Sequence, residues 1–313
     1  ETHGAWPGLV AVSTNVTRDQ PSGRVRVSWN CGETWEREAV WTLEDAVIDD
    51  LAFTIRDGVA ILFLATSVGL YELALSGDPS LLQVLVDEAD QSLGFYAVAA
   101  SIDPRGTIHV SVAARDRRGV YLSAAGGKPK TFSAIGLKGN DVRVLAVQRV
   151  GPRSFLWAGE AAASGLDAGP GCQRCELLDG PPDPDAWSAQ SQGWDGGSCF
   201  AIAFAGPTVL AATHRAGVLW LDPPASAWAR PELGCGLPLR EKDRLFHPVA
   251  ALATMPGREL TFAGGPAGLF ATLDRRLYTR TGVSEYTNKV SLPATWLFCS
   301  GDHEIEVVSE DAS

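Results

Sequence analysis

Apolar and polar residues along this chain alternate in short runs, and the runs come back in nearly the same order. From Ile61, ILFLATSVGLYELAL gives an apolar strand, a turn of small residues and a second strand opened by Gly-Leu-Tyr. IHVSVAARDRRGVYLSA from Ile108, VLAATHRAGVLWLDP from Val209 and LTFAGGPAGLFATLD from Leu260 repeat that frame. The glycines that open the second strands are Gly69, Gly119, Gly217 and Gly268, spaced 50, 98 and 51 residues apart. A gap of 98 holds two units, which places a further one between about residues 141 and 193 (VRVLAVQRV, SFLWAGEAAA, CELLD and DAWSAQ). An opening strand lies about 20 residues ahead of each visible pair, at Asp50–Phe53, Tyr96–Ala99, Phe200–Ala203 and Val249–Leu252, so each unit holds four strands.

This pattern predicts an all-β fold, a β-propeller, occupying residues 1–313 as a single domain. A small twisted sheet cannot bury both faces alone, whereas radial stacking covers each face with a neighbour. Strands nearest the axis are crowded, which accounts for their Ala, Gly, Ser and Thr; Tyr71, Tyr121, Trp220 and Phe270 suit the wider space between blades. Helical repeats would need apolar residues at i, i+3 and i+4 over ten or more positions. Only 44–53 and 232–245 approach that, and both contain breakers or lie in loops. The N-terminus adds GLVAVSTNV, GRVRVSWN and ETWEREAVW, and the C-terminus adds TWLFCSG and HEIEVVSE. Six four-stranded blades result if strands from the two ends share one blade and close the ring, seven if the C-terminal strands form their own. Six is favoured because the C-terminal segment is short for a blade.

Ser28-Trp29-Asn30-Cys31-Gly32-Glu33-Thr34-Trp35 resembles the Asp-box, or BNR repeat, whose pattern is Ser/Thr-x-Asp-x-Gly-x-Thr-Trp. Ser28, Gly32, Thr34 and Trp35 match, and Asn30 stands for the aspartate while keeping an oxygen able to accept from turn amides. A broken second copy begins at Ser123-Ala124-Ala125-Gly126-Gly127, with Phe132 in the aromatic role. In the proteins that carry it this motif is structural, so the resemblance implies a propeller and no particular chemistry. A fainter resemblance, carried by GGSCFAIAFAG (196–206), AATHRAG (211–217) and LPATWLFCSGDHEIEV (292–307), is to BNR-like propellers encoded beside bacterial phage-tail-like contractile injection systems. It implies a structural or protein-recognition component of a larger particle.

Composition narrows the function classes. Net charge is −11 with no run of Lys or Arg, which opposes binding to a nucleic-acid backbone. No apolar stretch is long enough to span a bilayer as a helix, so no membrane insertion is expected. The absence of Gly-x-x-x-x-Gly-Lys-Ser/Thr, His-Glu-x-x-His and the Arg-Ile-Pro signature of sialidases points away from an enzyme. Adjacent Tyr71 and Glu72 would face opposite sides of a strand and so cannot form a sialidase nucleophile pair. Six cysteines, at 31, 172, 175, 199, 235 and 299, are too few for a disulfide-built scaffold. Cys172-x-x-Cys175 is the one metal-like pair, with zinc, a local disulfide and unrelated thiols as its readings; no cofactor is expected. His214 and Arg215, and Asp302 and His303, fall at strand ends that line the axial funnel of a propeller. Ten tryptophans fit packing between blades; Trp6, Trp187, Trp194 and Trp228 lie beside Gly/Pro-rich stretches, where exposed rings would suit a carbohydrate or a protein partner. The expected function is therefore non-enzymatic protein recognition, with a glycan-binding or glycosidase-like funnel as the alternative. Its residues should lie in the irregular parts: 165–198, 230–247 and the funnel-facing strand ends.

Overall fold

The computed structural model describes residues 8–16, 22–35, 40–76, 79–165, 167–178, 182–255 and 260–281. Among them there is no α-helix, and the strands form six antiparallel sheets in chain order. The first contains β1 (Val10–Val16), β2 (Ser22–Ser28) and β3 (Val40–Glu44). The second contains β4 (Ile48–Arg56), β5 (Val59–Thr66), β6 (Gly69–Ala74) and β7 (Leu81–Val84). The third contains β8 (Phe95–Ile102), β9 (Ile108–Ala114), β10 (Gly119–Ser123) and β11 (Ser133–Ala134). The unit inferred from the 98-residue gap is real: β12 (Val142–Val150), β13 (Arg153–Glu160), β14 (Cys172–Leu177) and β15 (Ser188–Gln190). The fifth sheet has β16 (Cys199–Ala205), β17 (Thr208–Thr213) and β18 (Val218–Leu221), with a bridge from Trp220 to Ala229 in place of a fourth strand. The sixth has β19 (Ala251–Thr254), β20 (Thr261–Gly265), β21 (Gly268–Thr272) and β22 (Thr279–Arg280).

The sheets are arranged radially. The first strands β4, β8, β12, β16 and β19 stand side by side in that order, and the second strands β5, β9, β13 and β17 each reach the first strand of the next sheet. The core is accordingly divided into five layers, one between each consecutive pair of sheets. Second strands are covered on both faces and read as unbroken apolar runs, as in VAILFLAT of β5. First strands carry small residues where they crowd together, notably Ala97, Ala99 and Ala100 in β8 and Ala201, Ala203 and Ala205 in β16. Tyr121 and Phe270, on third strands, are buried between sheets as their size requires. The repeat glycines serve the tight entry into third strands. Gly119 has φ +91°, and an added Cβ would lie 2.4 Å from the Gly136 carbonyl oxygen.

One hydroxyl-centred turn recurs at the ends of these strands. Ser28 Oγ accepts from the amides of Asn30 (3.4 Å) and Gly32 (3.0 Å), while Asn30 Oδ1 accepts from Ser28 Oγ and the Thr34 amide (2.9 Å each). Gly32, at φ +86°, lies against the Trp35 ring. Ser123 Oγ likewise accepts from Ala125 and Gly127 (3.2 Å each). A third instance is not apparent from the repeat alone: Thr272 Oγ1 accepts from Asp274 and Arg275, and Asp274 Oδ1 accepts from Arg276 and Leu277. Ser123 and Thr272 each end the third strand of a sheet, β10 and β21, whereas Ser28 ends the second strand of the first sheet. The turn therefore aligns β1–β3 with the second to fourth strands elsewhere, and β1 touches β4 as other second strands touch the next first strand. The C-terminal segments TWLFCSG and HEIEVVSE lie outside the described residues.

Polar side chains lock neighbouring sheets together. Arg56 of β4 binds both oxygens of Glu72 in β6 (2.9 and 2.8 Å) and the carbonyl of Gly126, in the loop between β10 and β11 (3.1 Å). Asp50 bridges adjacent first strands, since its Oδ2 accepts from the Val98 amide of β8 at 2.9 Å. Burial raises the Asp50 pKa to about 7, against the pull of the Val98 and Leu51 amides.

Two predictions follow from these contacts. Ser28→Ala removes the acceptor at the centre of its turn and should lower stability by about 1–2 kcal/mol in urea unfolding. A folded-state pKa above that of the unfolded chain means that folding takes up a proton at Asp50. Its contribution thus favours folding at acid pH and declines as pH rises from 3.8 towards 7. Asp50→Asn should flatten that part of the stability–pH curve, as followed by thermal melts between pH 4 and 8.

Candidate ligand-binding mouth

The residues singled out by sequence divide between scaffold and surface. Ser28, Asn30, Gly32 and Thr34 are joined by the turn network, with Trp35 over Gly32. Asp302 and His303 lie outside the described residues, as does Trp6. Cys172 and Cys175 share β14 at an odd separation, so they face opposite sides and are buried in different layers. Of the three readings of the pair, that geometry fits two unrelated thiols and not a local disulfide or two ligands of one metal. Cys172 instead meets Cys199 of the next sheet, with 4.0 Å between sulfurs. Burial raises both β14 thiol pKa values, that of Cys175 to about 12. Among the described residues no group of three or more His, Cys, Asp or Glu is placed to hold a metal. Trp194 and Trp228 are buried and pack edge to face at 5.2 Å, and the half-buried Trp187 donates to the Ile135 carbonyl at 2.6 Å. Packing between sheets takes these rings, as expected of most tryptophans here, and leaves Trp194 and Trp228 unavailable as exposed platforms.

The positional regularity that sequence did not disclose lies at the start of the first strands. β4, β8, β12 and β16 each slip register against the second strand at the same place: between Ile48 and Asp50, Phe95 and Ala97, Val142 and Val144, and Cys199 and Ala201. The extra residue of each bulge is Asp49, Tyr96, Arg143 and Phe200 in turn. A bulge turns a side chain away from the regular alternation and ends in-register pairing, which is how sheets aim functional groups at a rim. A large or charged residue can thus stand beside strands otherwise rich in Ala.

These side chains meet the loops that follow the second strands. Arg115, just after β9, pairs with Asp49 and lies over the Tyr96 ring, 4.3 Å from its centroid. Arg143 lies over the same ring at 3.7 Å and holds both oxygens of Asp141, at 2.6 and 3.1 Å. Burial raises the pKa of Asp49 in spite of its bond to Arg115. Tyr96, Asp116, Arg117, Asp141 and Arg143 line an open cleft of about 390 Å³. His214 and Arg215 follow β17 at the same end of the array. His214 packs edge-on against Phe200 at 6.0 Å, and burial, with the charges of Arg240 and Arg215, lowers its pKa. Arg215 Nε donates to the Asp195 carbonyl at 2.8 Å, so part of this guanidinium braces a loop. The sequence gives no sign that Arg115 joins this cluster, because the bulge that brings Asp49 to it leaves no mark in the hydrophobic pattern.

No protein-family model matches the sequence, and no curated protein sequence does. Among solved structures, PorZ of Porphyromonas gingivalis, described as an essential bacterial surface component of the type-IX secretion system, superposes with a TM-score of 0.59 at 13% identity; the match covers 89% of this chain and 41% of PorZ. YCF48 bound to D1 peptide gives 0.51 at 14% identity over 88% of this chain and 85% of the other. YCF48 from Cyanidioschyzon merolae gives 0.50 at 13% identity, with the same coverage. At such identities the likeness is one of fold, and the fold is that of β-propeller-like proteins.

Proposed function

We propose that the chain is a non-enzymatic propeller that recognises another protein through the mouth formed by the bulged ends of its first strands. The observation that carries this reading is the bulge repeated on four consecutive strands, which sets Asp49, Tyr96, Arg143 and Phe200 along one rim. The mouth combines aromatic rings with arginines, the residue types on which protein contacts most depend. The neighbour solved with a peptide bound supports the same general use of the fold. Membership of a larger assembly, the contractile injection particle of the sequence resemblance, belongs to this proposal, as does assignment of the Ser28 turn to the Asp-box. A carbohydrate would compete as ligand through Tyr96 and Phe200, since Trp194 and Trp228 are taken up in packing.

Ring closure belongs here too. The first sheet lacks a strand in the axial place beside β1 among the described residues, and we propose that the ring closes at that place. A six-bladed ring follows, without exposed edges at the join.

Affinity capture from an extract of the source organism tests the recognition reading. The wild-type chain should retain a partner that Arg143→Glu loses, with unchanged far-UV circular dichroism. A capture that is empty, or indifferent to the variant, would falsify it. Removal of residues 282–313 should lower the melting temperature by several degrees and promote self-association, measured by calorimetry and light scattering; an unchanged melt would sink the closure.

A further inference from the structure

We infer that the cleft between β8 and β12 is a binding site for a carboxylate carried on an extended peptide, with Arg117 as its principal contact. This rests on the protein-recognition reading and adds the chemistry recognised. Arg115–Arg118 form the hairpin turn between β9 and β10, closed by the Arg118 amide on the Arg115 carbonyl at 3.2 Å. Its central residues, Asp116 and Arg117, both take left-handed backbone angles, φ +55° and +57°. Turns of that shape normally use Asn-Gly, because a side chain at both positions is strained. Here the strain places an exposed arginine on the cleft wall. Among the described residues Arg117 has no ion pair or side-chain hydrogen bond, whereas Arg115 and Arg143 are engaged by Asp49 and Asp141.

The cleft therefore offers one free guanidinium beside a second, Arg143, fixed by its carboxylate partner and the Tyr96 ring. Arg143 binds Asp141 through Nε and Nη2, which leaves Nη1 for a ligand oxygen. Two guanidiniums suit the two oxygens of a carboxylate. Asp116 and Asp141 on the same walls, and a net charge of −11, disfavour a doubly charged phosphate relative to a single negative charge. Phe200, the bulge residue of the next first strand, extends the same rim beyond the cleft, which favours an extended peptide over a small free acid. The carboxylate can be an acidic side chain or a free C-terminus; the chemistry at the arginines is the same.

The test uses the full chain on arrays of randomised octapeptides, made with free C-termini, as C-terminal amides, and as a set containing phosphoserine. Fluorescence anisotropy then follows the strongest probe. Acidic peptides should be enriched in both unphosphorylated sets if a side chain is read, and free-acid peptides alone if a terminus is read. Arg117→Gly should weaken binding at least tenfold while leaving the melting temperature unchanged or higher, because glycine accepts this backbone without strain. Tyr96→Leu should weaken binding similarly, Arg24→Ala on the distant β2 should not, and raising NaCl from 50 to 500 mM should weaken the wild type. Full-strength binding by Arg117→Gly, tenfold preference for phosphoserine peptides, or an empty array overturns the assignment. Protein recognition falls as well only if affinity capture is empty or indifferent to Arg143→Glu.

Discussion

Every feature of this molecule depends on how a small twisted sheet can be covered. Each sheet has two apolar faces and too few residues to wrap around itself, so it must be flanked by others like it. Radial stacking meets that need, and it sets opposite demands at the two ends of each sheet. Near the axis the first strands stand close together and accept Ala, as in β8 and β16. Further out the sheets diverge, and Tyr121 and Phe270 fill the gap. The short outer strands β11 and β22, at the edges of their sheets, are exposed.

That constraint explains why the scaffold was legible and the mouth was not. Burial on both faces leaves a direct mark on composition: VAILFLAT can hardly be anything other than a doubly covered strand. Four glycines at equivalent turns mark the units, and the 98-residue gap located β12–β15 although its loops are long. The Ser28 turn was readable because its hydrogen bonds are local, from one side chain to amides two and four residues on. A bulge has no such signature. Asp49 and Tyr96 alternate acceptably with their neighbours, and only the pairing with β5 and β9 reveals the extra residue. Contacts such as Arg115 with Asp49 join residues far apart in sequence, so no spacing rule could have found them. The Cys172/Cys175 pair shows the converse: a spacing familiar from metal-binding loops left three readings open, and only its place on a strand, where odd separations point apart, decides for unrelated thiols.

First strands run side by side without forming a common sheet, so contact between them depends on side chains. Asp50 supplies such a contact, with its carboxylate on the Val98 amide, and the bulge at Asp49 leaves that carboxylate in place by displacing its neighbour. One irregularity thus does two things: Asp50 braces β4 against β8 while Asp49 turns to Arg115 on the rim. Arg143 shows the same division, since its bulge frees it to cover Tyr96 while Val144 and Leu145 remain in the core. The ends of the first strands are the places where the array can carry polar groups without breaking its apolar layers.

A rim built in this way is specific in composition while the scaffold is not. The layers require only that apolar residues of suitable size recur, which is why sheets of similar shape occur in proteins 13% identical. The bulged positions carry no packing demand of that kind, and they hold an acid, a phenol, a guanidinium and a phenyl ring on four successive strands. Positions free of that demand can differ from strand to strand without disturbing the layers. An extended ligand of the kind proposed would meet a different group on each of the four strands.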